Sequence, residues 1–339
     1  MTQRTWCAAD GEHTMMATML DAVLDRTILF SFDRSGFLRH AGRFSPGDLD
    51  VDLTGRVCVV TGANSGIGRA AATALAARGA EVWLVCRDRG RGQEAVASIR
   101  KTTGNRRVHL EVVDVSHLAA VRAFVERFTP ARVDVLIHNA GVLPATREET
   151  AEGVELTLAT NVIGPFLLTH LLRAKLAAAT GARVIFVSSG GMYAQRLSLD
   201  DLQWTQRPFD GVTAYAQTKR MQVILTELLA RRWARAGIAA HAMHPGWADT
   251  PSVRSSIPRF WQVMRQRLRT PEEGADTIVW LAVAPALPSG RFWFDRAPQP
   301  THLLPFTTER PRDRARLWHM CTRLAGLASS FKDPRSVQG

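Results

Sequence analysis

The segment Thr61-Gly62-Ala63-Asn64-Ser65-Gly66-Ile67-Gly68 lies between the apolar run Arg56–Thr61 (RVCVVT) and an alanine-rich stretch that ends at Gly79. Few folds can use such a segment. A buried strand running through glycines into a helix leaves backbone N–H groups at the positive end of the helix dipole, with no Cβ to block an approaching anion. The spacing Gly-x-x-x-Gly-x-Gly, with a strand before it and the helix Gly68–Arg78 after it, predicts a cradle for the pyrophosphate of a dinucleotide.

The rest of the chain repeats that alternation. Glu81–Cys86, Arg107–Val113, Val133–His138, Arg183–Ser188 and Ile238–His244 read as further strands. Helices separate them: one to about Lys101, one around Val121–Phe128, and others around 152–177 and 214–236. Continuous apolar strands alternating with helices predict a parallel sheet covered on both faces. The expected fold class is α/β, a Rossmann-like doubly wound sheet in a three-layer α-β-α sandwich, with ligands at the carboxyl ends of the strands.

Those strand ends carry the polar residues. Arg87 follows the second strand, where a guanidinium matches a 2′-phosphate in charge and forked geometry; Asp88 turned inward would instead serve NAD. The expectation is NADP over NAD, with Ser65 adding a hydroxyl bond. Asp114 and Val115 close the third strand, where a carboxylate can bond an adenine amino group. Asn139, Ala140 and Gly141 close the fourth, where small residues let backbone pass close to a cofactor.

Tyr215 and Lys219 stand i, i+4 on a predicted helix and so share a face. A phenol of pKa about 10 is a poor base at neutral pH. A nearby ammonium and an oxidised nicotinamide both favour the phenolate, so Tyr215 is a candidate to exchange a proton with a carbonyl or alcohol. Tyr215 is one of only two tyrosines, the other being Tyr193. Ser189 is the candidate hydroxyl for the substrate oxygen, with Ser188 the alternative. Asn161 is an amide in an apolar helix; it reads as a water-holding relay to Lys219, or as a satisfied kink.

Together these residues resemble the short-chain dehydrogenase/reductase family in its single-domain branch, over roughly residues 55–295. Thr61–Gly68 is similar to the family's glycine motif, Asn139–Gly141 to its Asn-Ala-Gly motif, and Asn161, Ser189, Tyr215 and Lys219 to its catalytic tetrad. The resemblance implies that Pro245, Gly246 and Thr250 flank the nicotinamide, with Thr250 on the carboxamide. His138 replaces an Asn frequent in the family. Ser188–Met192, Pro208–Gly211, His244–Pro251, Gly274–Thr277 and Asp295-Arg296 with Thr301-His302-Leu303 look closer still to one subgroup, which implies a reaction class but no metabolite. The long interval from Ser189 to Tyr215 suggests an inserted loop (Leu199–Val212) over the site.

Around this core, residues 1–54 read as an N-terminal extension with an amphipathic stretch (Met15–Phe32), 55–299 as the catalytic domain, and 300–339 as a C-terminal extension with a basic helix (Arg312–Ala328). Val253–Leu268 reads as a lid whose Ile257, Phe260, Trp261, Met264 and Leu268 could face a hydrophobic ketone, aldehyde or lipid-like alcohol, with Met192 and Trp247 beside them. The net charge of +12 raises the question of an anionic partner, but only four of the 43 basic residues are lysines and no basic run is interleaved with aromatics. Nucleic acid is therefore not expected; peripheral membrane contact and a homo-oligomer stay open. The four cysteines lack metal-ligand spacing, which argues against a metal and for a reducing, cytoplasmic setting. The rivals are a nucleotide-binding sensor with little turnover, a membrane-peripheral scaffold, and an epimerase or dehydratase of the larger sister branch, which the glycine spacing and short C-terminal region disfavour.

Overall fold

The computed structural model describes residues 24–25, 27–285 and 287–327. Most of the amphipathic stretch, and the chain after 327, lie outside these. An eight-stranded sheet forms the centre: β1 (Val57–Thr61), β2 (Glu81–Cys86), β3 (Val108–Val112), β4 (Val135–His138), β5 (Arg183–Val187), β6 (Ala239–His244), β7 (Arg291–Phe294) and β8 (Ala297–Gln299). Their order is β3-β2-β1-β4-β5-β6-β7-β8. The first seven pair in parallel and β8 runs antiparallel to β7. The fold class is as expected from the alternation; β7 and β8 were not anticipated, because each is only three or four residues long.

Side chains alternate across each strand. Val57 and Val59 of β1 join the apolar layer on one face of the sheet, and Cys58 and Val60 join the other. In chain order the helices are α1 (Ile28–Phe32), α2 (Arg34–Ala41), α3 (Gly66–Ala77), α4 (Arg89–Thr103), α5 (Leu118–Arg127), α6 (Leu156–Leu158), α7 (Gly164–Leu171), α8 (Arg173–Ala177), α9 (Gly211–Trp233), α10 (Pro251–Ser256), α11 (Pro258–Met264), α12 (Pro271–Val283) and α13 (Pro311–Leu324). Helix α3 and helix α12 share the layer containing Leu75 and Ile278; α7 and α9 share the layer containing Phe166 and Leu225.

The expected helix around 152–177 is interrupted. A π-helical turn, Ala159–Ile163, joins α6 to α7 and holds Asn161. The order of strand addition reverses between β1 and β4, parallel neighbours in the sheet, so β1, β4, β5 and β6 aim their carboxyl ends at one crevice. Among the described residues no helix is long and apolar enough to cross a membrane.

Candidate active site

The glycine segment folds as its spacing requires. Gly62 and Gly66 take φ of +66° and +53°, a region L side chains rarely enter. Gly68 is crowded rather than strained: a Cβ there would lie 2.3 Å from Asn139 Nδ2 and 2.4 Å from the Gly62 oxygen. Asn139 bridges to this loop by donating to the Thr61 and Gly62 carbonyls at 3.0 and 3.1 Å. The Thr61 hydroxyl accepts from the amides of Asn139 and Ala140. Ser65 stands at the N-cap of α3, yet its hydroxyl makes no capping bond. Gly66 faces Thr250, whose Cγ2 would be 3.0 Å from an added Cβ. The loop, the β4 end and the Pro245–Thr250 segment thus meet, with α3 presenting its N-terminus between them. The fit to a dinucleotide rests on these crowded glycines and on the uncommitted Ser65 hydroxyl; Asn64 and Ile67 lie in the same half-buried turn.

The two residues after β2 divide clearly. Asp88 caps α4, accepting from the Arg91 amide at 2.9 Å and pairing with the Arg91 side chain. Arg87 is exposed. Asp114 accepts from both the amide and the hydroxyl of Ser116 through the same oxygen, Oδ1, and a Cβ on Gly164 would strike the Val115 carbonyl at 1.8 Å.

The tetrad residues converge at the ends of β4 and β5. The half-buried Tyr215 phenol stands close enough to the Ser189 side chain for that hydroxyl to favour its ionised form. Ser188, by contrast, donates to the Lys219 carbonyl at 2.9 Å and is buried, so Ser189 alone of the pair reaches the crevice. The Lys219 ammonium nitrogen lies 5.2 Å from the centroid of the Tyr215 ring and donates to the Val187 carbonyl at 2.7 Å. Asn161 accepts from the Val142 amide at 2.9 Å and donates to the Thr218 hydroxyl at 2.9 Å. Its own carbonyl takes the Gln222 amide at 2.7 Å. A Cβ on Gly141 would come within 3.4 Å of both Asn161 Oδ1 and Lys219 Nζ, so these three residues form one packed unit.

The ionisation balance departs from the spacing argument. Burial pushes the Tyr215 phenol up to about 12, with the Ser189 hydroxyl pulling the other way, and burial brings Lys219 down to about 7. Within the protein alone, desolvation outweighs any help the ammonium gives its neighbour.

Gly246 has φ of +72° and lies against Arg269, and Pro245 leads into Trp247. Thr250 Oγ1 accepts from the Val253 amide as the cap of α10, which leaves its hydroxyl hydrogen to donate. The expected lid is α10 and α11. Phe260 packs on Trp247 with ring centroids 5.2 Å apart, and Trp261 donates to Asp249. Ile257, Phe260 and Trp261 are half-buried, whereas Met264 and Leu268 are buried. The interval 199–212 packs on residues 144–155: Gln203 accepts from the Glu155 amide and donates to the Gly153 carbonyl, and Gly211 abuts Pro144. His138 is buried with its Nε2 on the Thr169 hydroxyl, a polar neighbour that makes a histidine tolerable there.

Sequence reasoning missed the buried pair Arg269–Asp295 and the contacts of Phe32 with His244 and Trp247. No short-range pattern marks them, since their partners lie 26 to more than 200 residues away.

The fold and this convergence define a nicotinamide-dependent oxidoreductase. The family model for short chain dehydrogenase matches residues 56–259, and the chain belongs to the short-chain dehydrogenase/reductase family as an NAD(P)-dependent enzyme. It is 46% identical over 304 residues to dehydrogenase/reductase SDR family member 12 of Bos taurus, covering 88% of this chain and 95% of that one. It is 36% identical over 284 residues to human retinol dehydrogenase 12, covering 82% and 89%. Among solved structures it resembles 3-ketoacyl-(acyl-carrier-protein) reductase from Brucella melitensis complexed with NADH, with a TM-score of 0.54 at 27% identity over 68% of this chain and 92% of that one.

Proposed function

We propose that the protein is an NADPH-dependent reductase of a hydrophobic aldehyde or ketone, with Tyr215 as its proton donor. The observation that carries this is the convergence of Ser189, Tyr215 and Lys219 at the end of β5, with the lysine ammonium 5.2 Å from the centre of the phenol ring and anchored on the Val187 carbonyl. The bound nicotinamide supplies the hydride. Ser189 bonds the substrate oxygen, and Tyr215 passes its phenolic proton to that oxygen as it gains charge. A phenol held up to about 12 is fully protonated at neutral pH, and so loaded as a donor. Lys219, with a pKa of about 7, can carry a proton to reload it. Asn161 holds the Val142 backbone, just past Gly141, and Thr218 in register with that lysine.

Support for NADPH is the division of labour at Arg87 and Asp88. The carboxylate that would hold a ribose hydroxyl is spent on α4, and the exposed guanidinium is left to meet a 2′-phosphate. Support for an apolar substrate is the half-buried Ile257, Phe260 and Trp261 beside Trp247, together with a relative that is a retinol dehydrogenase. The buried free thiols Cys58, Cys86 and Cys321 fit a reducing cytoplasm. Following NADPH absorbance with retinaldehyde, decanal and a bulky ketone tests the proposal. Saturable oxidation with at least one of them is expected; none with any, and none with NADH, would refute it.

A peripheral membrane contact is favoured by one observation. Leu303, Leu304 and Phe306 are 54%, 43% and 62% exposed on one short loop. Co-sedimentation with anionic liposomes, abolished by Phe306→Asp, is the outcome that supports it; equal recovery of both proteins in the supernatant refutes it.

A further inference from the structure

Part of the N-terminal extension reaches the loop of the proposed catalytic hydroxyl. The Phe32 ring packs edge-on against His244 at 4.4 Å, Phe294 at 5.2 Å and Trp247 at 5.9 Å between centroids. Its carbonyl accepts from the Trp247 amide at 2.8 Å and from Arg269 Nε at 3.0 Å. On the other side stands Gly190, the residue after Ser189. A Cβ there would lie 2.4 Å from Phe32 Cε2 and 2.9 Å from His244 Nε2. The Gly190 amide donates to His244 Nδ1 at 3.1 Å, which places the imidazole hydrogen on Nε2. That Nε2 is buried, has no hydrogen-bond partner, and lies against the Phe32 ring. The Phe32 ring fills the space beside that nitrogen, so the packing around the Gly190–His244 bond depends on where the ring sits.

The ring is itself anchored. Arg269 is buried, grips Asp295 through both carboxylate oxygens, shares its Nε hydrogen between the carbonyls of Phe32 and Asp33, and donates from Nη2 to the Ser31 carbonyl. A buried guanidinium left without those three acceptors would be costly, so the segment is bound tightly to the β6 loop.

We infer that Phe32 is a positioning residue: with His244 it fixes the Ser189–Gly190 turn, and through it the hydroxyl that meets the substrate oxygen. This rests on the role proposed for Ser189. Residues 28–41 are on this account part of the active site, a strap across the loops after β5 and β6.

Hydrogen exchange on the full-length protein tests the strap without any need for turnover. Phe32→Ala should speed exchange of the Gly190 amide by about tenfold or more, Phe32→Leu should stay close to wild type, and the 61–68 loop should be unchanged in both. Unaltered Gly190 exchange in Phe32→Ala overturns the inference. Gly190→Ala presses on the same contact from the other side, and decides alone should Phe32→Ala fail to fold. Its kcat for NADPH-dependent reduction of retinaldehyde should fall by about ten- to a hundredfold, with the KM for NADPH within about twofold. The double variant Phe32→Ala/Gly190→Ala should recover part of that loss, since the added methyl enters the space the ring vacates. A wild-type kcat in Gly190→Ala, or a double variant whose losses simply multiply, overturns the inference. Absence of wild-type turnover with every carbonyl and either nucleotide would instead sink the proposed reductase activity, leaving the exchange result to judge the strap.

Discussion

Asn139 Nδ2 occupies the place where a side chain at Gly68 would have to begin, 2.3 Å from that missing Cβ, and from there donates to two carbonyls of the glycine turn. One contact therefore ties the end of β4 to the first turn of α3. Gly68→Ala must push the two apart. Affinity for either nicotinamide nucleotide, read by quenching of intrinsic fluorescence, is expected to fall about ten- to a hundredfold. Binding at wild-type strength would show that the cradle does not lie between these elements.

Arg87 and Asp88 should separate by phenotype. Arg87→Ala is expected to weaken NADPH about tenfold or more while leaving NADH within about twofold, because only the 2′-phosphate is lost as a partner. Asp88→Ala should instead cost about 1 kcal/mol of stability as a lost N-cap, with little change in either nucleotide. A titration series with both nucleotides, beside thermal melts, distinguishes these outcomes; a tenfold loss of NADH affinity in Asp88→Ala would reverse the assignment.

The molecule should be acid-labile. Burial brings His138 and His244 down to about 3, and His170 and His241 down to about 4. Between those values and the unfolded pKa near 6.5 the unfolded chain binds more protons, so stability falls as pH falls through this window. Each such histidine contributes about 1.4 kcal/mol per pH unit. His40, raised by Asp295 and Asp25 against its own burial, opposes them singly, since its contribution is present below 6.5 and lost at higher pH. The melting temperature at pH 5 is expected to lie well below that at pH 7; equal values would mean these imidazoles are solvated.

Helix α13 covers the faces of α7 and α9. Trp318 packs on Phe166 and His170 with centroids 5.0 and 5.4 Å apart, beneath the Arg232 guanidinium, and Leu317 and Cys321 are buried beside it. Buried Arg220 pairs with Glu309 and further seats the C-terminal segment. Surfaces so covered are not free to pair with a second copy, so sedimentation is expected to give a monomer of 37.4 kDa. Trp318→Ala should cost about 3–5 kcal/mol of stability. A stable wild-type dimer would place the contact elsewhere.

The parts of this structure legible in the sequence share a local signature. Val57–Thr61, the glycines after it and the Tyr215–Lys219 spacing each declare themselves within a dozen residues, because strand, turn and helix are written in short-period patterns. The π turn around Asn161 was hidden, since one residue of extra helical slack leaves no compositional trace. The sequence favours Ser189 over Ser188, but the physical reason, that the Lys219 carbonyl takes the Ser188 hydroxyl, is visible only in the structure. Spacing shows that Lys219 is near Tyr215 but not that both groups are desolvated, which in the protein alone pushes the phenol up. Phe32 escaped for a different reason: nothing near it in sequence points to His244.

The most direct test of Tyr215 as proton donor is stopped-flow NADPH oxidation by wild type and Tyr215→Phe with the best carbonyl found. The variant is expected to bind NADPH as tightly as wild type and to oxidise it about a hundredfold to ten-thousandfold more slowly, the span a positioned proton donor contributes. Oxidation by Tyr215→Phe at the wild-type rate would contradict the account.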